Sequence, residues 1–443
     1  MNANTRILTC LLATLFLGTF VACKTDKAGS SMAGFPELLP RKDTTGATRE
    51  WKDIQARYQK YTEALLKDSN DNGARLKLVE VFVNEARVTG NQAHYNDAAL
   101  QMVNAVIERK SSKKDDFYKA NTYKASLLLS LHQFAAAKDI AMQNQLVDAY
   151  DASNYGALVD ANVELGNYAE AVKMSDKMQG IRPDLRSYSR VSYIRQIYGD
   201  NLGAIAAMKL AVLASPTGME ATEWANVTLG DLYLNIGKAD TAKLLYETSL
   251  KYRPKYAFAE MGLAKVFRAE KKYDLAIEHC KNAIRSLSES SFVSFLADLY
   301  ELKGDKAKAK EVREDVLALV LEGEKDNEKA TYAKHNGNRE VASAYMNVGN
   351  LDKALEYAQK DLAIRPKNID ANELVAWLLY LKKDYAGAKT HVDAMLSTNG
   401  KNANSLYKAA LIYAAAGDAA KGNELKTNAL AINPNIDPLI MRN

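Results

Sequence analysis

The sequence predicts an all-α fold, a superhelical solenoid of about nine to ten helix pairs that covers residues 72–436. Three observations support this prediction. Long stretches are rich in Ala, Leu, Lys and Glu, and the 443 residues include only 8 prolines, which favours helices over sheets. Small residues recur at spacings of mostly 33 or 34 positions, and glycines and prolines keep fixed places in the same register. A period of this length is typical of stacked helix pairs.

The N-terminus predicts a secretion signal. Arg6 supplies a positive charge, and residues 7–20 form an apolar stretch that is too short for a comfortable membrane span. The run Phe20-Val21-Ala22-Cys23 resembles the lipobox of bacterial lipoproteins. That resemblance implies a lipoprotein signal peptide over residues 1–22 and a lipid on Cys23. An ordinary cleaved signal peptide or an uncleaved anchor are the alternatives.

Residues 23–47 predict a lipid-anchored flexible tether, because Gly, Ser, Thr and Pro are concentrated there. Each buried methylene of an acyl chain contributes about 0.8 kcal/mol, so several chains anchor a protein durably. Lys24 follows the lipidated residue, and by the sorting logic of enterobacterial lipoproteins this implies the outer membrane, on its periplasmic face or at the cell surface. With Cys10 removed and Cys23 lipidated, only Cys280 remains, and the mature chain can form no intramolecular disulfide.

Three kinds of residue define the repeat, and each has a structural role. The alignment points are Ala137, Ala171, Ala204, Ala242, Ala276, Ala309, Ala354, Ala388 and Gly422. Five positions earlier stand Gly166, Gly199, Gly237, Gly304, Gly349 and Gly417. Twelve positions later stand Pro183, Pro216, Pro254, Pro366 and Pro434. Gly ends the first helix, the small residue lets the second helix approach it, and Pro stops the second helix.

One unit matches a known pattern almost throughout. Leu229-Gly230, Tyr233, Gly237, Ala242, Tyr246 and Pro254 follow one another at the intervals of the tetratricopeptide repeat, and the chain resembles that family from about residue 72 to residue 436. The resemblance implies helix–turn–helix units whose first helices line a concave groove. An apolar stripe of Trp51, Ile54, Tyr58, Tyr61 and Leu65 predicts an N-terminal capping helix in residues 48–71, and residues 437–443 remain as a C-terminal tail.

Two spacings depart from the period. The spacing of 38 predicts extra residues in a loop from Ser215 to Glu223, and the spacing of 45 adds eleven residues around Glu322 to Tyr332. The second insert is highly charged, so we expect a solvated helix extension, with a capture loop as the alternative.

No pattern for catalysis, a cofactor or nucleic acid is present in the sequence. The formal net charge of +5 is spread along the chain, and no basic block stands out. The five histidines, none of which lies within a few residues of another, are His94, His132, His279, His335 and His391. They form no local metal motif. His279 beside Cys280 is a remote nucleophile candidate, since Cys280 stands in a packing position of its unit. We therefore expect no enzyme and no cofactor.

In the family, certain positions of the first helix face the groove. The residues at those positions in this chain are the candidate binding residues. They are Arg186, Arg190, Tyr193, Gln196, Trp224, Asp231, Asn235, Lys265, Arg268, Trp377, Tyr380 and Tyr407. Arg and Lys beside aromatic residues suit an extended peptide with carboxylates. In the alternative reading the aromatic residues belong to the core and the charges only solvate a face.

These features predict a non-enzymatic scaffold or adaptor that holds a protein or peptide in the cell envelope. A surface glycan-binding lipoprotein of a nutrient-uptake system is the alternative, although the nearly unbroken repeats leave no room for a separate binding lobe. A hydrolase is a remote third hypothesis. The sequence identifies neither the partner nor the oligomeric state.

Overall fold

The computed structural model describes residues 34–41, 49–109 and 113–442. The predicted signal peptide and Cys23 lie outside these ranges. Residues up to Pro40 form one compact unit, whose described part is a turn at Gly34 followed by irregular chain. Residues 41–443 form the second unit. Within the described ranges, no helix combines the length and the apolar character that crossing a membrane requires.

Ten helix pairs follow one N-terminal helix in the described part of the second unit. The N-terminal helix is α1 (Arg49–Lys67). The pairs are α2 (Asn72–Thr89) and α3 (Gln92–Ile107), α4 (Lys114–Ser130) and α5 (Phe134–Val147), α6 (Ala152–Glu164) and α7 (Tyr168–Ile181), α8 (Leu185–Ile197) and α9 (Asn201–Leu213), α10 (Glu220–Asn235) and α11 (Ala239–Tyr252), α12 (Ala257–Ala269) and α13 (Tyr273–Ser286), α14 (Ser290–Lys303) and α15 (Lys306–Lys329), α16 (Asn338–Asn347) and α17 (Leu351–Ile364), α18 (Ile369–Leu381) and α19 (Tyr385–Met395), and α20 (Ala403–Ala415) and α21 (Ala419–Ile432). A 3₁₀ turn (Leu396–Thr398) follows α19, and a short helix α22 (Pro438–Met441) ends the chain. The predicted all-α solenoid of nine to ten helix pairs is confirmed.

The turn inside each pair has one backbone signature. All six glycines that precede the alignment points adopt positive φ, and the other three units have His132 (φ 57°), Lys271 (φ 59°) and Lys383 (φ 66°) at the same place. A left-handed residue is therefore required at this position in all nine aligned units. The sequence pattern revealed it only where the residue is Gly, because Gly alone adopts this conformation without a steric penalty.

The core of the best-matching unit explains its pattern. Ala242 and Tyr246 of α11 are fully buried. A Cβ atom on Gly230 or on Gly262 would come within 2.5 Å of the Tyr246 ring, so two first helices approach this ring closely on either side. The Tyr246 hydroxyl donates a hydrogen bond to Asp231 Oδ1 at 2.9 Å, which satisfies the polar end of the side chain.

Enlarging the residue at the alignment point should therefore overpack the pair. We expect Ala242→Leu to lower the free energy of unfolding by about 1–3 kcal/mol, because the interior is close-packed. Ala239→Leu, one turn earlier at a partly exposed position, should have a clearly smaller effect. Thermal or urea melts measure both variants. Equal losses of stability would show that this packing register is wrong.

Both inserts lengthen helices. Helix α15 has 24 residues, against 14 in most second helices, which confirms the predicted helix extension. The other insert was only partly predicted. Helix α9 ends at Leu213 and α10 already begins at Glu220, so the connecting loop is shorter than predicted, and Glu220 and Glu223 belong to a longer first helix.

The superhelix is wound so tightly that successive turns touch. Asn368 donates hydrogen bonds to the carbonyl oxygens of Val163 and Glu164 from 205 and 204 positions away, and Asn433 donates one to the Leu234 carbonyl from 199 positions away. In each case the turn inside one pair meets the chain near the end of a later second helix, five pairs further on. Contacts of this kind differ from those of an open solenoid, in which each unit contacts only its neighbours.

One side chain dominates this contact between turns. Arg365, only 3% exposed, donates hydrogen bonds to both carboxylate oxygens of Asp361, at 2.9 Å and 2.7 Å. Its third nitrogen lies 2.5 Å from Glu164 Oε2, in the third helix pair. Although burial opposes its charge, the Asp361 and Glu164 carboxylates raise the pKa of Arg365. The guanidinium thus connects the third pair to the end of the eighth.

The second unit begins with an anchored residue. Arg41 lies in the segment predicted as tether, but its side chain is buried and pairs with the buried Glu85, with Nη2–Oε1 and Nε–Oε2 distances of 2.6 Å and 2.9 Å. A second ion pair joins it to Glu50 of α1 at 3.2 Å. Residue 41 is therefore part of the folded unit rather than of a free tether.

Candidate partner-binding groove

The first helices line the concave side of the superhelix. Neighbouring first helices touch directly, as α2 does with α4 and α10 does with α12. Two large cavities lie on this side and are bordered mainly by first-helix residues. The described residues therefore place the groove where the family resemblance implied it.

The larger cavity lies along the first four helix pairs, and we call it the N-terminal groove. It has a volume of about 760 Å³ and is lined by residues of α1, α2, α4, α6 and α8. Its charged and aromatic lining includes Arg57, Lys77, Glu80, Arg87, Asp116, Tyr118, Lys119, Tyr123, Asp151 and Arg186. The volume is in the range typical of ligand sites, and basic side chains outnumber acidic ones on its wall.

Two of the three acidic residues of the N-terminal groove, Glu80 and Asp151, are already hydrogen-bonded within the chain. Glu80 accepts hydrogen bonds from Lys77 at 2.7 Å, Tyr123 at 2.8 Å and Arg57 at 3.1 Å. Although burial opposes its charge, the hydrogen bonds from Lys77 and Tyr123 hold the pKa of Glu80 below its ordinary value. The Tyr118 hydroxyl donates to Asp151 at 2.8 Å. These two carboxylates are paired within the chain, so they repel an acidic ligand less than free charges would.

Two basic residues of this groove have no such partner. Among the described residues, neither the exposed Arg186 guanidinium nor the exposed Lys119 ammonium group has an ion pair or a side-chain hydrogen bond. Each stands 18 positions before the alignment point of its unit, on α8 and α4 respectively. The groove therefore presents free positive charge at equivalent positions of two helix pairs.

A second cavity of about 580 Å³, which we call the inner cavity, lies between the second and third pairs on one side and the seventh and eighth pairs on the other. Its wall includes Asp160, Glu164, Asp298 and Arg339. Burial raises the pKa of Glu164 and of Asp298, in spite of the arginines beside them. This inner cavity is thus charged and partly acidic, unlike the N-terminal groove.

The predicted cations of the middle units are mostly engaged within the chain. Arg190 forms a two-pronged ion pair with Asp160, at 2.8 Å and 2.6 Å. Lys265 pairs with Asp231 at 3.0 Å. Arg268 pairs with Asp437 at 2.8 Å, and its guanidinium lies 4.7 Å from the centre of the Phe295 ring. Arg190 and Lys265 join neighbouring pairs, and Arg268 reaches the segment after the tenth pair, so all three are less available to a partner than the sequence suggested.

The predicted aromatic residues divide into two groups. Trp224 and Tyr193 are 37% and 43% exposed, as a groove surface requires. Trp377 and Tyr407 are only 7% and 5% exposed and lie in the core of the last two pairs. Tyr380 stacks on the Trp377 ring at 5.1 Å and is half-buried. The core reading of the Trp377 region therefore replaces the groove reading, because Tyr380 and the last pair cover that face.

The two polar candidates Gln196 and Asn235 lie outside the N-terminal groove. Gln196 borders a small cavity of about 180 Å³ between α8 and the ninth and tenth pairs, together with Tyr193. Asn235 is half-buried near the C-terminal end of α10. The structure does not bring either of them into the N-terminal groove, where Arg186 is the only one of the predicted residues.

The pair His279 and Cys280 does not form a nucleophilic centre. Cys280 is fully buried and donates to the Phe292 carbonyl at 3.3 Å, and burial raises the pKa of its thiol to about 12. His279 faces away toward Glu260, with an Nδ1–Oε2 distance of 2.6 Å, and stacks on Phe267. The thiol is therefore a packing residue.

Sequence reasoning missed Lys119, Tyr123 and Arg57. The register itself contained the signal for the first two, since Lys119 and Tyr123 stand at the positions that Arg186 and Arg190 occupy in their unit. The second pair has His132 in place of the usual Gly, so its match to the pattern was weak. Arg57 belongs to α1, which lies outside the repeats, and no repeat register could have found it.

The fold defines a class of protein, an all-α helical-repeat solenoid whose first helices line a concave groove. Comparison with known proteins gives the family. Residues 225–256 match the model described as tetratricopeptide repeat, and they span most of α10, all of α11 and the loop that follows. The matched stretch is a tetratricopeptide repeat, and the ten helix pairs of the described chain share its helix–turn–helix plan. Proteins of this family bind protein partners, and they are generally scaffolds rather than enzymes.

The chain is similar to several characterised proteins. It is 28% identical over 196 residues to the type IV pilus assembly protein PilF of Pseudomonas aeruginosa, which covers 44% of this chain and 74% of that protein. The crystal structure of a tetratricopeptide repeat protein from Parabacteroides merdae overlaps 58% of this chain and 97% of its own, at 14% identity and a TM-score of 0.39. Human IFIT1 overlaps 86% of this chain and 88% of its own, at 14% identity and a TM-score of 0.46.

Proposed function

We propose that this chain is a lipid-anchored envelope adaptor whose N-terminal groove holds an extended, acidic segment of a partner protein. The observation that carries the proposal is the free charge of Arg186 and Lys119 in a cavity bordered by four successive first helices. An acidic segment laid along these helices meets both cations, while Tyr118 and Tyr123 offer flat apolar surface between them.

The tyrosines suit this role because they stay neutral. Burial, together with the Asp151 and Glu80 carboxylates, raises the pKa of Tyr118 and Tyr123 respectively. Their rings remain hydrogen-bonded at one end and free to pack at the face, which is the usual behaviour of aromatic anchors at interfaces.

The envelope part of the proposal rests on the N-terminal sequence and on one relative. Cys23 after a short apolar stretch supports lipidation, and Lys24 supports retention in the outer membrane. The similarity to a pilus assembly protein supports a role in building an envelope structure. The adaptor would then hold one component of such an assembly near the membrane surface.

Charge removal in the groove tests the binding proposal. We expect Arg186→Ala and Lys119→Ala each to weaken capture of the partner from envelope extracts by about 1–3 kcal/mol, and Trp224→Ala to test whether the interface continues along the next pair. Binding should also weaken as salt is added, since exposed charges are screened. The readout is pull-down at graded concentrations, with a melting curve for each variant.

Lys173→Ala is the matched control for this experiment. Lys173 is an exposed lysine of the second helix α7, where it pairs with Glu170 at 3.1 Å. The Lys173→Ala variant removes one positive charge from the protein and leaves the groove unchanged. The groove proposal fails if Lys173→Ala weakens capture as much as Arg186→Ala and Lys119→Ala do, or if the two groove variants bind as wild type does.

The anchoring proposal has its own test. We expect Cys23→Ser to prevent lipidation and to move the protein from the membrane fraction to the soluble fraction, because no acyl chain can then be attached. Radiolabelled fatty acid incorporation and fractionation measure the two effects. A variant that still sediments with membranes like wild type would contradict the lipoprotein reading and leave the groove proposal untouched.

A further inference from the structure

Two histidines that are far apart in sequence meet where the turns of the superhelix touch. His132 occupies the turn between α4 and α5, and His335 lies in the segment that connects the long helix α15 to α16. Their rings are 4.6 Å apart between centroids. Glu340, in the first turn of α16, completes the group, and the possible ligand atoms of the three side chains all lie within 4.8 Å of one another.

The backbone holds these three residues in place. The Asn336 amide donates to the Leu131 carbonyl at 3.0 Å, and Gln133 donates to the Lys334 carbonyl at 2.5 Å. The side chain of Asn327, on α15, bonds both the amide and the carbonyl of His335. The turn of the second helix pair and the segment that leads into the eighth pair therefore present their histidines to each other on a fixed frame, although about 200 residues separate them.

The state of the donor atoms fits a metal ion. His132 Nδ1 lies 3.1 Å from the Asn336 carbonyl oxygen, and a hydrogen on Nδ1 satisfies that oxygen and leaves Nε2 with its lone pair. A backbone carbonyl on the second ring nitrogen is the usual support of a metal-bound histidine. Glu340 Oε2 is buried and has no hydrogen-bond partner in the described part of the chain. A buried carboxylate oxygen without a partner is unfavourable, and a bound cation or a hydrogen-bond donor would stabilise it.

We propose that His132, His335 and Glu340 bind a divalent cation of the Zn²⁺ class, and that this ion clasps the second helix pair to the eighth across one turn of the superhelix. Two imidazoles and one carboxylate favour Zn²⁺ over Mg²⁺ or Ca²⁺, which prefer oxygen ligands. Ligand bonds of about 2.0–2.1 Å hold donors roughly 3.3 Å apart, and small side-chain rotations bring the three groups to that spacing.

The site also has an open side. His132 and Glu340 border the inner cavity of about 580 Å³, and their side chains are 34% and 37% exposed. Zn²⁺ has an entry path from this cavity, and a water molecule can complete a four-coordinate shell there. The ion sits at the junction of the turns, so its loss would loosen contacts that no neighbouring pair provides.

Zn²⁺ titration of the purified full chain, stripped with a chelator, tests the site. We expect one Zn²⁺ per chain by calorimetry, a rise in Tm of a few degrees at roughly 100-fold excess over Kd, and no rise with Mg²⁺ or Ca²⁺. His132→Asn and Glu340→Gln should each weaken Zn²⁺ binding by at least about tenfold. Asn suits position 132, because it tolerates the left-handed backbone found there.

His391→Gln is the matched control, since it removes a half-buried histidine that bonds Asn372 and lies away from the cluster. It should bind Zn²⁺ as wild type does. The site is refuted if wild type binds no Zn²⁺, or if His132→Asn keeps wild-type affinity. Melting curves of the metal-free variants show whether His132→Asn and Glu340→Gln are folded before they are titrated.

Hydrogen exchange tests the clasp separately. Zn²⁺ should slow amide exchange in residues 131–133 and 330–337 of wild type but not of Glu340→Gln, because the ion joins these two segments. Binding without this protection would overturn the clasp. Protection that persists in Glu340→Gln would place the ion elsewhere.

Discussion

Replacing Arg365 by Ala is expected to lower the free energy of unfolding by about 3–5 kcal/mol, because it leaves the buried Asp361 and the half-buried Glu164 carboxylates without their partner. Arg365 is 3% exposed, Asp361 is 6% exposed and Glu164 is 30% exposed at the side chain. The guanidinium also lies 5.7 Å from the centre of the Phe134 ring. Truncation therefore removes an ion pair, a hydrogen-bonded bridge and packing at once.

Lys360→Ala is the control for this variant. Lys360 lies on the same helix, is about half exposed and pairs with Glu356 at 2.8 Å. Exposed pairs of this kind contribute about 0–1 kcal/mol, so its melt should stay close to wild type. Urea denaturation followed by circular dichroism compares the two. If Arg365→Ala melts as Lys360→Ala does, the contact between turns contributes little to stability.

Arg365→Ala should also change how the chain unfolds. In an open solenoid each pair contacts only its neighbours, and parts of the array can unfold separately. Arg365 joins pairs that are five units apart, so it couples their unfolding. We expect the Arg365→Ala transition to be broader than that of wild type, or to separate into two steps.

Gly166→Ala should destabilise the protein by roughly 2–5 kcal/mol, for two reasons that add. Gly166 has φ of +76°, where an L-residue costs about 1–2 kcal/mol. A Cβ atom there would lie 2.4 Å from the Lys367 carbonyl carbon on the next turn of the superhelix, and overpacking typically costs about 1–3 kcal/mol. Backbone atoms cannot rotate away as a flexible side chain can.

Gly349→Ala separates the two contributions. Gly349 stands at the same position of its own unit and has a similar φ of +80°, but a Cβ atom there meets nothing within 4 Å. Its variant should lose only the backbone part, about 1–2 kcal/mol. The difference between the two melts measures the contact between the turns. Equal losses would mean that the turns separate easily at Gly166.

The helix pairs could be predicted because their information is local. Gly237 ends a helix, Ala242 lets a second helix approach and Pro254 stops it, and all three effects act within one unit. Even so, three left-handed turn residues escaped notice, because His132, Lys271 and Lys383 lack the signature of Gly. The sequence pattern identified the left-handed turn position only in the units where that residue is Gly.

The candidate groove was predicted in part. The register placed Arg186 on the groove side, where it borders the N-terminal groove, and it would have found Lys119 if the worn second unit had been read in the same way. It could not tell that Arg190, Lys265 and Arg268 are paired within the chain, since their partners Asp160, Asp231 and Asp437 come from other helices. The sequence left open whether Trp377 faces the groove or the core, because burial depends on the neighbouring pair, and the structure places it in the core.

The sequence by itself determined the helix pairs, their number and the side of each first helix that faces the groove, because periodicity and helix-breaking residues act over a few turns of chain. Only the tertiary structure decided that the superhelix closes on itself. Its pitch is the sum of small rotations between successive pairs, and these rotations depend on side-chain packing rather than on the repeat pattern. That sum brings Arg365 to Glu164 and His132 to His335, and with them the strongest contacts and the proposed metal clasp.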